Sequence, residues 1–312
     1  MNIIEINKVT KRYAKHVALD EITLSIPAQS VFGLLGPNGA GKTSLIRIIT
    51  RITAPDQGEI YFNGQPLDNV HSAMMGYLPE ERGLYKKMEV GEQALYLARL
   101  KGLSRAEAMK RLKYWFEKFG IQDWWNKKVE ELSKGMAQKV QFITTILHEP
   151  EFIILDEPFT GFDPINADLI KNELLELKQK GVTIVLSTHR MESVEELCSH
   201  IALINHSKVI LNGSVKSIRQ QFRTNAYSLS YSGDPVELSK AMNGMGVILE
   251  NTVHDDYYAV TLKLNDAVTT NDMLQKLLPI ARVHSLNEVI PGMSEIFIRQ
   301  VNAASAGAVN QN

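Results

Sequence analysis

An α/β fold is predicted for the first two thirds of the chain, and a small α+β domain for most of the remainder. Three observations carry this reading. The apolar run at Val31, Phe32, Leu34 and Leu35 leads into the glycine-rich stretch GPNGAGKTS (Gly36 to Ser44) and then into SLIRIIT, a strand, loop and buried helix in succession. Two further apolar runs, FIILDEP (Phe152 to Pro158) and GVTIVLSTH (Gly181 to His189), end in polar side chains, as buried parallel strands do when their carboxyl ends meet a ligand. From about Thr224 short strands and helices alternate without such endings, which suggests a ferredoxin-like α+β unit.

Taken in order, IIEINKVTKRY and ALDEITLSI alternate partially and read as strands before the glycine loop. APDQG (Ala54 to Gly58) is a turn, EIYFNGQPL is a strand with an Asn-Gly turn, and MMGYLPEERGLY reads as a loop around its proline. Residues 89–150 are helical. There Leu112, Trp115, Phe116 and Phe119 share one apolar face, and the basic residues between them form a solvated outer face. LSKGMAQK opens a helix that buries Val140, Ile143, Thr144 and Leu147 and ends at Pro150. In TGFDP, Asp163 suits an N-cap and Pro164 the first helical position, with the helix continuing through Ile170, Leu174 and Leu177. MESVEELC is a helix and HIALINHSKVILNG a closing hairpin. The last third reads as strands at AYSLSYS, YYAVTLKL and RVHSLNEV and helices at VELSKAM, TTNDMLQKLL and SEIFIRQV. The domains predicted are therefore 1–222 and 223–301, with 302–312 a disordered polar tail.

A length of 312 residues with 44% hydrophobic content supports two cores, and a formal net charge of −1 argues against a protein that coats nucleic acid. The lone cysteine, Cys198, forms no internal disulfide and reads as a small core residue. No apolar run reaches membrane-spanning length, so a cytoplasmic protein is expected, one that serves a membrane only through a partner.

The glycine stretch fits G-x-x-x-x-G-K-[ST], a phosphate-binding loop. Gly36, Gly39 and Gly41 let consecutive N–H groups face phosphate oxygens, in a loop that also comprises Pro37, Asn38, Ala40 and Ser44, while the following helix adds its positive end. Lys42 would reach the β- and γ-phosphates of a nucleotide and the Thr43 hydroxyl would bind Mg²⁺. Asp156 suits the metal's water shell, and Glu157 is placed to orient and deprotonate an attacking water. His189 ends a strand of the same sheet, where a crevice is expected.

GPNGAGKT, LSKGMAQK, FIILDEP, GFDP and His189, in this order and spacing, resemble the ATP-binding subunit of an ABC transporter over roughly residues 2–220. The resemblance implies a phosphate-loop (RecA-like) domain with a helical subdomain, closing head to tail with a second copy around two ATP molecules and driving a separate integral membrane permease. It implies that Tyr13 stacks on adenine, that Ser133, Gly135 and Asp163 meet the nucleotide or subunit opposite, and that His189 contacts the γ-phosphate. Glu80 stands where the family usually has a glutamine near the metal, and Lys134 and Met136 depart from the LSGGQ-type signature. The YLPEERGLY loop with a carboxyl-terminal accessory domain is similar to bacterial export members, sodium and drug efflux types among them. Two alternatives are a soluble ABC ATPase acting on ribosomes or DNA and a nucleotide-dependent regulatory module. The presence of one cassette, the absence of a heptad run, and the set Asp156, Glu157 and His189 argue against them.

Overall fold

The computed structural model describes residues 1–81 and 83–309. The chain divides into two compact units, one of Met1–Val215 with the residues from Arg299 on, the other of Lys216–Ile298. This division lies before the helix Val215–Gln221, whereas the sequence reading put the boundary after it, at residue 222.

In the first unit, strands β1 (Asn2–Tyr13) and β2 (His16–Pro27) form a long antiparallel hairpin. After β3 (Val31–Leu35), helix α1 (Lys42–Ile49) buries Leu45, Ile46, Ile48 and Ile49. Strands β4 (Gln57–Phe62) and β5 (Gln65–Pro66) complete a four-stranded sheet with β1 and β2. β6 (Met75–Leu78) follows, and then the helices α2 (Val90–Leu100), α3 (Arg105–Lys118) and α4 (Lys134–Ile146). The remaining elements are β7 (Phe152–Asp156), α5 (Pro164–Gln179), β8 (Thr183–Ser187), α6 (Met191–Leu197), β9 (His200–Asn205) and β10 (Lys208–Ser214), and α7 (Val215–Gln221) then opens the second unit.

The central sheet has the order β10-β9-β3-β8-β7-β6. Five strands are parallel and β10 is an antiparallel edge. β3, β7 and β8 are buried at every position, which explains their continuous apolar sequences. The register aligns Leu34 with Ser187 and Ser187 with Asp156, so the carboxyl ends of β3, β8 and β7 finish in one row. That row fixes the site.

One expectation fails here. MMGYLPEERGLY is not loop throughout, because Met75–Leu78 pairs in parallel with β7 as the sheet edge. A four-residue run containing Gly76 carries too little periodicity to announce a strand; its neighbour β7 decides it. The helical face read from the sequence does form, with Leu112, Trp115, Phe116 and Phe119 all buried. Trp125 packs on Phe116 at 5.5 Å between ring centroids. Lys118 on α3 pairs with the buried Glu173 of α5, tying the helical layer to the sheet layer.

His148, just past α4, makes one hydrogen bond, with Nε2 donating to the Met75 carbonyl at 3.0 Å, and its buried Nδ1 has no partner. Burial above all, then the Lys101 ammonium and Arg111, outweigh that carbonyl and pull the imidazole from 6.5 down to about 4. A histidine held neutral in the fold but free to charge when unfolded lets the unfolded state bind more protons between these values. Stability therefore falls as pH drops through that window and is fully present above it. We expect His148→Gln to remove up to about 3 kcal/mol of this acid sensitivity, seen as flatter urea midpoints between pH 7 and pH 4.

In the second unit, β11 (Ala226–Gly233), α8 (Pro235–Met242), β12 (Gly246–Val253), β13 (Tyr258–Leu264), α9 (Thr270–Leu277) and β14 (Ala281–Glu288) give a βαββαβ sequence. The antiparallel sheet has the order β12-β13-β11-β14, which is the ferredoxin-like arrangement. Alternate residues Leu229 and Tyr231 of β11 and Val260, Leu262 and Leu264 of β13 meet Leu238, Met242, Met273 and Leu277 of the helices. β12 lies in a stretch to which the sequence reading gave no element. α10 (Met293–Val309) also overturns part of the disordered tail, since residues 302–309 continue the helix. Their alanine-rich sequence favours helix and carries no proline to stop it. Residues 310–312 of that expectation lie outside the described residues.

Candidate nucleotide site

Four segments that follow carboxyl ends of the parallel sheet supply the candidate residues. Gly36 to Gly41 follow β3, Pro79 and Glu80 follow β6, Glu157 follows β7, and Thr188 and His189 follow β8. In an open parallel sheet this edge is where ligands bind.

The loop after β3 is built from backbone that only glycine accommodates. Gly36 and Gly41 have φ of 152° and 116°. A Cβ on Gly36 would lie 2.3 Å from the Ile204 carbonyl oxygen, and one on Gly41 2.4 Å from that of Ala18. Gly41 is also the N-cap of α1, so the unpaired N–H groups of the first turn open into the loop. Gly41→Ala is expected to cost about 2–4 kcal/mol through strain and backbone collision, lowering the denaturation midpoint and weakening ATP binding in parallel.

Lys42 folds back over this loop, its Nζ donating to the carbonyls of Gly36 at 2.7 Å and Pro37 at 3.1 Å. Burial lowers the lysine's pKa, while Asp156, Glu157 and Glu80 work against that shift. Asp156 is only 4% exposed, and its carboxyl is pushed up, first by burial and further by Glu80 and Glu157. The Ser187 hydroxyl and Lys42 pull the other way. Three carboxylates thus act on one ammonium, an acidic excess suited to a cation. Among the described residues no three His, Cys, Asp or Glu side chains form a ready-made metal cage. Mg²⁺ takes oxygen ligands and is usually held by one or two carboxylates together with substrate phosphate and water, and the carboxylate of Asp156 beside Lys42 is of that chemistry.

Glu157 has a left-handed backbone, φ 49°, a strained conformation for a residue with a side chain. Its carboxylate is closely held. Oε1 accepts from the His189 backbone N–H at 3.0 Å and from His189 Nδ1 at 2.7 Å, and Oε2 accepts from Thr188 Oγ1 at 3.3 Å. With Nδ1–H given to a carboxylate, a neutral His189 presents only a lone pair at Nε2, so a hydrogen bond from Nε2 to phosphate requires the imidazolium. Thr188 escaped the sequence reading although it directly precedes His189, and its hydroxyl also accepts from Arg190 N at 3.1 Å.

A cavity of about 870 Å³ beside the loop is lined by Arg12, His16, Pro37, Asn38, Asn205 and Ser207 among others. Tyr13 is not among its lining residues; it is 41% exposed at the hairpin tip, with Lys11 Nζ 5.6 Å from its ring centre. His16, which pairs with Tyr13 across the hairpin, was not foreseen from sequence.

Ser133 and Gly135 lie in a separate part of the first unit. Ser133 is the N-cap of α4, its Oγ accepting from Met136 N at 3.2 Å, and Gly135 is the second residue of that helix. Among the described residues no hydrogen bond joins either to residues 36–44. Asp163 caps α5 as expected, accepting from Asn166 N at 2.9 Å, and Pro164 opens the helix. These hydrogen bonds from Asn166, backbone then side chain, hold the Asp163 carboxyl below its usual range.

A family model described as ABC transporter matches residues 19–160, and one described as ATP-binding protein DrrA1-3-like, C-terminal domain, matches residues 213–301. The chain is 41% identical over 301 residues to the uncharacterised ABC transporter ATP-binding protein YhaQ of Bacillus subtilis (strain 168), covering 96% of this chain and 99% of that protein. It is 34% identical over 218 residues to the Nod factor export ATP-binding protein I of Paraburkholderia xenovorans (strain LB400), covering 69% of this chain and 72% of that protein. A solved ATP-binding subunit of an ABC transporter superposes with a TM-score of 0.66 at 32% identity, covering 70% of this chain and 93% of that one.

Proposed function

The chain belongs to the ABC transporter ATP-binding protein family, and from this premise we propose how its residues divide the work of ATP hydrolysis and transport. It is the ATP-hydrolysing subunit of a transporter, working with a membrane permease and dimerising as such subunits do. The observation that carries the residue assignments is the row of strand ends, which sets the His189-held carboxylate of Glu157 within electrostatic reach of Lys42.

In this reading the loop of residues 36–44 and the N-terminus of α1 cradle the phosphates, and Lys42 exchanges its two carbonyl partners for phosphate oxygens. Mg²⁺, when bound, neutralises charge on the phosphates. Thr43, Asp156 and Glu80 are the residues that would hold it. Glu80 can do so only through the metal, because an ionised carboxylate donates no hydrogen bond and repels phosphate. Glu157 takes the proton of the attacking water, and Thr188 and His189 keep its oxygens aimed. Tyr13 stacks on the base; its exposure leaves it free to do so.

Ser133 and Gly135 meet the nucleotide of a second copy at the N-terminus of α4, with Asp163 in the turn across the interface. ATP binding closes the pair and hydrolysis reopens it, because the closed state binds ATP better than ADP. Among the described residues no helix is long and apolar enough to cross a membrane, which agrees with a chain that sits on the cytoplasmic face through its permease. We assign the direction as export, in keeping with a relative named for export. The purified chain should release phosphate from ATP only with Mg²⁺ present and should sediment as a dimer with ATP. Turnover undiminished by chelator, or no dimer under any nucleotide, would refute the assignment.

A further inference from the structure

Gln138 is a buried amide on α4, 5% exposed, and nothing assigned so far uses it. Its Nε2 donates to the carbonyl oxygen of Pro158 at 3.3 Å. Pro158 has no N–H, so this carbonyl is its one backbone polar group, and it directly follows the left-handed Glu157. The two segments meet a second time one turn earlier. Gly135 approaches the next stretch of the same turn so closely that a Cβ would lie 3.2 Å from the Gly161 carbonyl oxygen. Between these points the Thr160 N–H donates to the Glu157 carbonyl at 3.2 Å, and Phe159 is buried at 2% exposure. The first turns of α4 and the turn that carries the carboxylate are therefore joined by a close backbone approach and a hydrogen bond from a buried side chain.

We propose that Gln138 is a positioning residue for Glu157, fixing the Glu157–Pro158 turn from the same helix whose N-terminus reaches the partner's nucleotide. The inference rests on the reading of Glu157 as general base and of Ser133 and Gly135 as the trans contact. Glu157 holds an unfavourable φ, and a strained residue keeps its conformation only when its surroundings over-determine it. Thr188 and His189 hold its side chain, and Gln138 holds the peptide on its other side. Movement of the first turns of α4 on engaging a nucleotide opposite is transmitted to the turn of the base through these two contacts.

The test compares Gln138→Met and Gln138→Glu with Glu157→Gln and wild type in the purified full chain. Each is measured for ATP affinity, KM and kcat. Methionine keeps the volume and loses the donor, so kcat should fall about tenfold with KM and ATP affinity within twofold. Glutamate turns a carboxylate oxygen toward the carbonyl and should lower kcat further, again without weakening binding. A merely space-filling Gln138 would leave the methionine variant at the wild-type kcat. That result beside an inactive Glu157→Gln overturns the positioning role alone, as does a rise in KM with kcat unchanged. Full turnover in Glu157→Gln overturns the base assignment and this inference with it.

Discussion

Glu157→Gln is expected to lower steady-state ATP turnover at least about a hundredfold while leaving ATP affinity within a few-fold of wild type. The amide is nearly isosteric and its oxygen still accepts from the His189 backbone N–H and from Nδ1, the bonds made by Oε1 at 3.0 and 2.7 Å. What it cannot do is accept a proton from water, because an amide oxygen is far less basic than a carboxylate. The other end of the side chain changes from an acceptor for Thr188 Oγ1 into a donor, and the hydroxyl can rotate to accept from it. The geometry therefore survives and the chemistry does not. Removal of a base after closure leaves the closed state without its exit, so the variant should accumulate as an ATP-bound dimer on size exclusion. Phosphate release within tenfold of wild type, with no added dimer, would show that another group takes the proton.

The row of strand ends behind that expectation was legible in the sequence because each of its parts ends or begins an element with a strong local signature. β3, β7 and β8 are buried on both faces and therefore spelled in continuous apolar residues, and their polar endings mark the edge where a ligand can sit. The parts that escaped depend on neighbours. β6 has four residues, one of them Gly76, and exists because β7 offers a partner. β12 is an edge strand whose Val247, Leu249 and Val253 are exposed, and a register shift after Ile248 breaks its alternation, so no period-two pattern could reveal it. Thr188 and Gln138 each reach the Glu157–Pro158 turn through one hydrogen bond, to an acidic side chain and to a carbonyl, and the sequence separations, 31 and 20 residues, show no repeat that could have paired them. Gln138 also lies on a buried helix face with Gln141, Phe142 and Thr145 at one- and two-turn spacings, where a polar residue gives no sign of its partner.

Lys42→Ala should fail at an earlier step than Glu157→Gln, and the contrast separates binding from chemistry. Among the residues around the glycine loop Lys42 is the cation that the acidic residues Asp156, Glu157 and Glu80 all act on. Its ammonium is partly desolvated, which raises the worth of a charge-assisted hydrogen bond to phosphate to about 1.5–3 kcal/mol each. Loss of two such bonds weakens ATP binding by about two to four powers of ten. The backbone N–H groups of the loop remain, so the variant should fold, and its apo form loses only the bonds from Nζ to Gly36 and Pro37. Lys42→Arg is not expected to restore binding. Nζ is a compact charge seated 2.7 and 3.1 Å from two loop carbonyls, and a planar guanidinium on a different stem cannot occupy that position without moving the loop. Equilibrium titration with a fluorescent ATP analogue is the deciding measurement. Tight binding with turnover lost in Lys42→Ala would move the lysine's role from holding the phosphates to stabilising the transition state alone, and unaltered binding with unaltered turnover would remove it from the site.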